Sequence, residues 1–415
     1  MPAIGKSHRW IYAITAFIVL VMLGLIYAWS LFIDPLEAEF GWTRTETSFV
    51  FTLSLISFSL GMLAEGAVDK KFSPHVTTAL TTVFILIGFI GAAFTTELYQ
   101  IYITYGIFVG FASGFGTDAV MGATLQWFPD KQGFMSGALL MGFGMGALIL
   151  SPFVTMLLAS LGWRNTFLII GLVFGALILV AAIIMRNPPE EFSSAMLQTA
   201  REKNIVSAHD FSALEMIKTS SFWTFIIWLI LVSSGGLALI SQAVPAAEDV
   251  LAGMNMEPAA AALLATAAMG SISFCNGLGR LINGFVWDRF GFRASLLWIS
   301  VAFIASMALN AYATMTSNFP LIVAGFVLLG LAYGGNMSSM AAMCGGFFGT
   351  KFFTINYAVA TCQMLISATI GPMLSASLQE STGNYLLTFW VFLGIAVVAL
   401  IVSFFIHKPK QAENR

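Results

Sequence analysis

Apolar residues recur along this chain in runs of about 20, the length that crosses roughly 30 Å of hydrocarbon, with short polar breaks between them. The runs fall near 10–33, 46–68, 76–96, 100–127, 134–160, 165–186, 220–245, 258–287, 294–314, 319–347, 353–377 and 385–406, and each predicts a transmembrane helix. The first run, Trp10 to Ile33, follows Lys6 and Arg9. It is too long for a signal-peptide core and lacks a small-residue cleavage site, so it is expected to stay as the first span. The pattern predicts an all-α membrane protein of twelve transmembrane helices, with no room for a separate soluble domain.

Composition supports that pattern, and charge gives it an orientation. Of the 415 residues, 58% are hydrophobic and 9% charged, with a mean hydropathy of +0.88. That balance lies outside the range of soluble domains. One set of breaks, which includes Lys70, Lys71, Arg289, Arg293 and Lys351, holds 15 of the 18 Lys and Arg together with the two termini. The other set holds only Arg44 and Arg164, and Arg280 lies inside a span. Under the positive-inside rule the rich set is cytoplasmic, so both termini are expected in the cytoplasm and the number of spans is even. The protein is expected in the cell membrane, a bacterial inner membrane, with the lipid bilayer as its surroundings and no nucleic-acid partner.

The longest polar break, Arg186 to Thr219, separates six spans from six. It predicts an N-terminal half at 1–186, a cytoplasmic linker at 187–219 and a C-terminal half at 220–415. At the end of the linker, Phe211, Leu214 and Ile217 recur at helical spacing with charges opposite, which predicts a short helix lying on the membrane surface. The two halves carry related cytoplasmic loops. Asp69-Lys70-Lys71 follows the second span, and Gly284-Phe-Val-Trp-Asp288-Arg289-Phe-Gly291-Phe-Arg293 follows the eighth. Repeated halves with a substrate site near the bilayer midplane are common among secondary transporters.

The G-x-x-x-D-R-x-G-x-R string at 284–293 is similar to the signature loop of the major facilitator superfamily, and 65–75 reads as a degraded copy of it. In the copy, Glu65 occupies the expected glycine position and one extra residue separates Asp69 from Pro74. More specifically, Tyr27-Ala-Trp-Ser-Leu-Phe-Ile-Asp34-Pro35, Trp127-Phe-Pro-Asp-Lys131, Lys218-Thr-Ser-Ser-Phe-Trp223 and Asn276-Gly-Leu-Gly-Arg280 resemble the oxalate/formate antiporter family, close to the monocarboxylate transporters. The resemblance implies two pseudo-symmetric six-helix halves. It also implies an arginine at position 280 that binds the substrate carboxylate, and cavity-lining aromatics at Tyr27 and Tyr333. The family's oxalate carriers place a second cation, a lysine, where this chain has Met364.

Two residues inside the spans carry the candidate chemistry. Arg280 keeps its charge at any physiological pH and is costly at membrane depth, so it needs a partner or a ligand. Its fork suits a carboxylate, and Asn276, one turn earlier, shares its face. Asp118 continues the spacing of Gly106, Gly110 and Gly114, a face on which a neighbouring helix can approach closely, and so points into the bundle. Alone in the apolar interior it would carry a proton, whereas paired with an arginine it would stay ionised. Thr117 beside it joins the substrate-binding set. Glu65 is assigned to the charge network at the loop. Gly284, Asp288, Arg289 and Arg293, with Asp69 and Lys70, are expected to latch one conformation.

No nucleotide-binding loop and no metal-site string is present, and the three cysteines have neither disulfide nor ligand spacing. The expected protein is therefore not an enzyme and needs no cofactor. It is read as a secondary active transporter of small monocarboxylates of the lactate, pyruvate or formate type, driven as proton symport by alternating access. The alternative is a carboxylate exchanger of the oxalate/formate type, and a non-transporting membrane sensor is the reading from another class.

Overall fold

The computed structural model describes residues 9–69, 71–202, 207, 209–254 and 256–409. Lys6, His8, Lys70, Lys203, Lys410 and Arg415 lie outside the described residues. Among the described residues every regular element is helical. Helix α1 (Arg9–Leu23) passes through a tight-turn segment (Gly24–Ala28) into α2 (Ser30–Phe40). Then come α3 (Arg44–Val68), α4 (Pro74–Ala93) and α5 (Leu98–Ile101), which continues through a wide-turn segment (Tyr102–Val109) into α6 (Gly110–Trp127). The chain goes on with α7 (Gln132–Ile184), α8 (Glu190–Glu202), α9 (Ala213–Ile217), α10 (Ser220–Ala252) and α11 (Pro258–Thr316). It ends with α12 (Phe319–Phe348), α13 (Phe353–Thr361), α14 (Gln363–Thr382) and α15 (Leu386–Phe405).

Among the described residues ten continuous segments are long and apolar enough to cross a membrane, and two of them, in α7 and α11, run to 53 and 54 residues. A straight helix of that length would reach about 80 Å, more than twice the bilayer core. Each is broken once by a glycine in the left-handed region, Gly162 at φ 72° and Gly291 at φ 85°, where the chain turns back. Twelve spans result. The first continues beyond Ile33 to Phe40 and stops at Gly41, whose φ of 70° ends the helix.

The polar linker differs from its sequence reading. Helix α8 occupies a stretch for which the sequence predicted no element, and Phe192 on it packs its ring 5.5 Å from that of Trp127. The short helix α9 is capped by Ser212, whose hydroxyl accepts from the Glu215 N–H. Its expected apolar face is buried only in part: Phe211 packs edge-on against Phe348 and Ile217 is half-buried, but Leu214 is 69% exposed and Met216, outside that spacing, is buried. Met216 and Phe211 fix the rotation of α9, and the 211/214/217 spacing did not include Met216.

The chain forms two compact units. One comprises the described residues of 9–130 with Gly142–Asp210 and Gly349–Val359, and the other Lys131–Met141, Phe211–Phe348 and the described residues of 360–409. In the first, Glu39 on α2 accepts from Arg164 at 2.8 Å and from the Trp163 indole at 2.6 Å.

Each unit contains a seam where glycines let two helices touch backbone to backbone. Between α3 and α6, a Cβ on Gly110 would strike the Ser54 backbone, one on Gly114 the Phe58 carbonyl, and one on Gly61 the Phe111 carbonyl. Between α11 and α12, Gly330 meets Ile272, Gly334 meets Asn276 and Gly279 meets Leu331 in the same way. A constant shift of 218 residues carries Ser54, Phe58 and Gly61 onto Ile272, Asn276 and Gly279, and a shift of 220 carries Gly110, Phe111 and Gly114 onto Gly330, Leu331 and Gly334. The repeat is thus written in close contacts, although the side chains around them differ.

Candidate functional site

Arg280 lies in the second unit, 6% exposed. Helix α11 continues beyond it to the break at Gly291, which places the residue about 16 Å into the helix from the turn. Glycines bring backbone close on two sides. A Cβ on Gly137 would meet the Arg280 carbonyl, and one on Gly334 would meet the Asn276 carbonyl and, at 3.1 Å, the Arg280 nitrogen. Because α7 approaches this closely at Gly137, the Leu140 carbonyl one turn later accepts from Arg280 Nη1 at 2.6 Å. Arg280 Nε donates to Asn276 Oδ1 at 3.2 Å. The guanidinium is held at two points, and no described residue takes Nη2. A carboxylate approaching that side would meet a fixed cation with donors to spare. Tyr333, buried against Gly236, precedes the Gly334 contact by one residue.

Asp118, Thr117 and Tyr27 belong to the first unit. Asp118 is 0% exposed, one turn beyond Gly114 on the face that meets α3, and neither of its oxygens accepts a hydrogen bond from a described residue. The Thr117 hydroxyl is buried and equally unpartnered. Tyr27, in the Gly24–Ala28 segment, is 39% exposed between the rings of Phe143 at 5.5 Å and Phe51 at 6.4 Å. Nearby α4 presents buried Thr77, Thr78, Thr81 and Thr82, of which Thr78 and Thr82 have unpartnered hydroxyls. This polar stripe was legible as two Thr pairs four residues apart in an otherwise apolar run, and the sequence reading passed over it.

Two assignments at the signature loops need correction. Glu65, assigned to the charge network at the loop, has Asp69 as its charged neighbour but lies wholly inside the span. It is 0% exposed, and both its oxygens lack hydrogen-bond partners among the described residues. Nor does it take the glycine position. A Cβ on Gly66 would meet the Ile355 backbone at the start of α13, as one on Gly284 would meet Gly133 at the start of α7. Gly66 is therefore the counterpart of Gly284, and the irregular spacing lies after it. Both aspartates then reach the same kind of place. Asp288 accepts from the Gly133 and Phe134 backbone N–H groups at 2.8 and 2.7 Å, capping α7, and Asp69 accepts from the Thr354 hydroxyl at 2.9 Å in the first turn of α13. Arg289 and Arg293 are exposed, with Arg293 over the Phe292 ring.

The second unit contains a polar centre that sequence reasoning missed. Asn283 Nδ2 lies 2.9–3.0 Å from the acceptors Gly335 O, Ser338 Oγ and Ser339 Oγ. Its Oδ1 accepts from Ser295 at 2.6 Å and from Trp298 Nε1 at 2.9 Å. Only the lone Asn beside Gly284 signalled it. No group of three metal-ligating side chains occurs among the described residues.

Comparison with known proteins bears on this architecture. The chain is 27% identical over 399 residues to the oxalate:formate antiporter of Oxalobacter formigenes, covering 92% of this chain and 89% of that protein. It is 23% identical to monocarboxylate transporter 4 of Gallus gallus over 95% and 83% of the two chains. Among solved structures it superposes on a proton:xylose symporter with a TM-score of 0.70 at 13% identity, covering 96% and 97%. It superposes on the transporter FucP in its outward conformation with a TM-score of 0.70 at 13% identity, covering 96% and 99%. The pattern of one family matches residues 10–282 and 255–415. With its twelve spans and its glycine-registered repeat, the chain belongs to the Major Facilitator Superfamily.

Proposed function

We propose that this protein is a secondary carrier of small organic carboxylates that exchanges one carboxylate anion for another, with Arg280 as the cation that holds the anion. The observation that carries the reading is Arg280 itself, buried deep in α11 and fixed by Leu140 O and Asn276 with Nη2 left over. A protein named as an oxalate:formate antiporter is similar over 92% of the chain, which favours exchange. With one cation in the span the site suits a single negative charge, so formate, lactate or pyruvate is preferred to a dianion. Asn276 and Tyr333 would complete the binding surface on the second unit, and Tyr27 and Thr117 are the first unit's candidates for contact with the substrate. The halves at 1–186 and 220–415, joined by 187–219, would rock about it. Asp288 and Asp69, each engaging a helix start next to a glycine contact, would favour one state, and both termini would lie in the cytoplasm.

A second reading, proton-coupled symport of a monocarboxylate, is favoured by the unpartnered Asp118. Liposomes carrying the purified protein separate the two. An exchanger takes up labelled carboxylate only when preloaded with carboxylate, whereas a symporter responds to an imposed pH step when empty. Arg280→Lys keeps the charge and loses the fork, so carboxylate affinity should fall about tenfold or more. Equal binding by wild type and Arg280→Lys would remove the anion-site assignment.

A further inference from the structure

In the first unit, the shift of 218 that aligns Phe58 with Asn276 and Gly66 with Gly284 also places Glu65 on Asn283. The shift of 220 that aligns Gly114 with Gly334 places Asp118 on Ser338. In the second unit these counterparts touch, with Asn283 Nδ2 donating to Ser338 Oγ at 3.0 Å. Their partner Ser295 corresponds to Thr77 by the same shift of 218, and the Thr77 hydroxyl, 3.4 Å from the Pro74 carbonyl, is also within hydrogen-bonding reach of Glu65, a single donor for two carboxyls. Where the second seam has an amide with every polar atom engaged, the first sets one buried carboxyl against another. None of the four carboxyl oxygens has a hydrogen-bond partner among the described residues.

Among the described residues the charged neighbours of Asp118 are Glu65 and Asp69, both contributed by α3 and its end, and Asp69 is in turn the charged neighbour of Glu65. From the other helices packed on α6 come neutral groups, Thr81 of α4 against Gly116 and Thr354 of α13 against Gly122. Arg9 of α1, at the far end of α6, is engaged by Asp130. Two neighbouring carboxylates in an apolar interior, with no cation among the described residues beside them, cannot both stay ionised. A single proton removes their repulsion and supplies the missing donor, in a short hydrogen bond from one carboxyl to the other.

We propose that Glu65 and Asp118 form one proton-binding site, a carboxyl pair across the α3–α6 seam that holds a single shared proton. Neither residue is then a proton carrier alone, and Glu65 is as necessary as Asp118. The inference deepens the carrier reading, on which its consequence for transport rests. When the seam is loaded, the first unit presents one negative charge fewer while the second holds the anion, so transport in either mode would depend on pH through this pair.

Infrared difference spectra of the purified full-length protein in lipid, recorded across a pH titration, test the pair without requiring transport. Wild type should show a protonated-carboxyl band that titrates as one proton. Glu65→Gln and Asp118→Asn should each shift the midpoint of that band to lower pH by about one unit or more, or remove it. The double variant Glu65→Asn with Asp118→Ser installs the residues of the second seam and should lose the band altogether while remaining monodisperse. If either single variant fails to fold, Glu65→Asp takes its place and should keep the band at a moved midpoint. The proposal is overturned if wild type has no titrating carboxyl band, or if the band is unmoved in Glu65→Gln or Glu65→Asp. It is equally overturned if sodium in place of choline displaces the band, which would mark a metal-cation site. An intact band in a protein that neither binds nor moves carboxylates would sink the carrier reading and leave the proton site standing.

Discussion

At Gly114 in one unit and Gly334 in the other, a helix carries no side chain because a neighbouring carbonyl, Phe58 O or Asn276 O, lies where Cβ would be. One turn further along, the two seams part company. The second continues with Ser338 and Asn283 and satisfies each polar atom of the amide, whereas the first continues with Asp118 and Glu65 and satisfies none of their carboxyl oxygens. Earlier in the same register, Phe58 and Met62 of the first unit face apolar demands where the second has Asn276 and Arg280. The backbone repeat is therefore a scaffold indifferent to charge. It was filled with a fixed cation on one side and an uncompensated acid pair on the other, and that difference is where transport chemistry can reside.

The largest effects should come from attacking what the seams share. Gly114→Ala and Gly334→Ala each gain up to about 1 kcal/mol of helix propensity. A methyl driven into a backbone carbonyl forces two helices apart, at a cost of about 1–3 kcal/mol or more. Both variants should lower the thermal unfolding midpoint in detergent by similar amounts, and a drop confined to one would end the claim of a common register.

Next in size is the contrast between the seams. Asn283→Ala leaves the Trp298 indole without its acceptor, takes one hydrogen bond each from Ser295 and Ser338, and should cost about 1–3 kcal/mol. At the matching position, Glu65→Gln replaces one acid of the pair by an amide that can itself donate to Asp118, and should cost less than Asn283→Ala or be neutral. A destabilisation of equal size at both positions would show that Glu65 is as firmly satisfied in the first seam as Asn283 is in the second and would weaken the contrast.

The smallest effects belong to the two helix starts. Asp288→Ala removes a cap that accepts two backbone N–H groups and should cost about 1 kcal/mol. Thr354→Val deletes one hydroxyl hydrogen bond to Asp69 and should cost no more than that. If Thr354→Val were the more damaging of the two, Asp69 would be the stronger docking point and the loops would rank the other way.

Much of this was open to a reader of residues alone. Twelve spans follow from apolar runs, and the glycine face of α6 with Asp118 at its end follows from a spacing of four. Arg280 and Asn276 were paired by the same rule, and the structure joins them at 3.2 Å. What failed was assignment across the chain. Glu65, near the cytoplasmic end of the 46–68 run, was assigned to the charge network at the loop because it precedes Asp69 by one turn, but helix α3 buries its side chain completely. The glycine of the first signature loop was misplaced by one residue, because only the contact of Gly66 with Ile355, almost 300 positions away, identifies it.

By itself, then, the sequence determined the solvent, the number of spans, the unequal distribution of basic residues among the loops and the presence of an arginine at membrane depth. Each of these depends on composition within a window of about 20 residues. Tertiary structure decided which buried polar groups have partners. Hydrogen bonding between Asn283 and Ser338, or its absence at Glu65 and Asp118, is settled by the register of helices some 50 residues apart, and no local pattern encodes that distance.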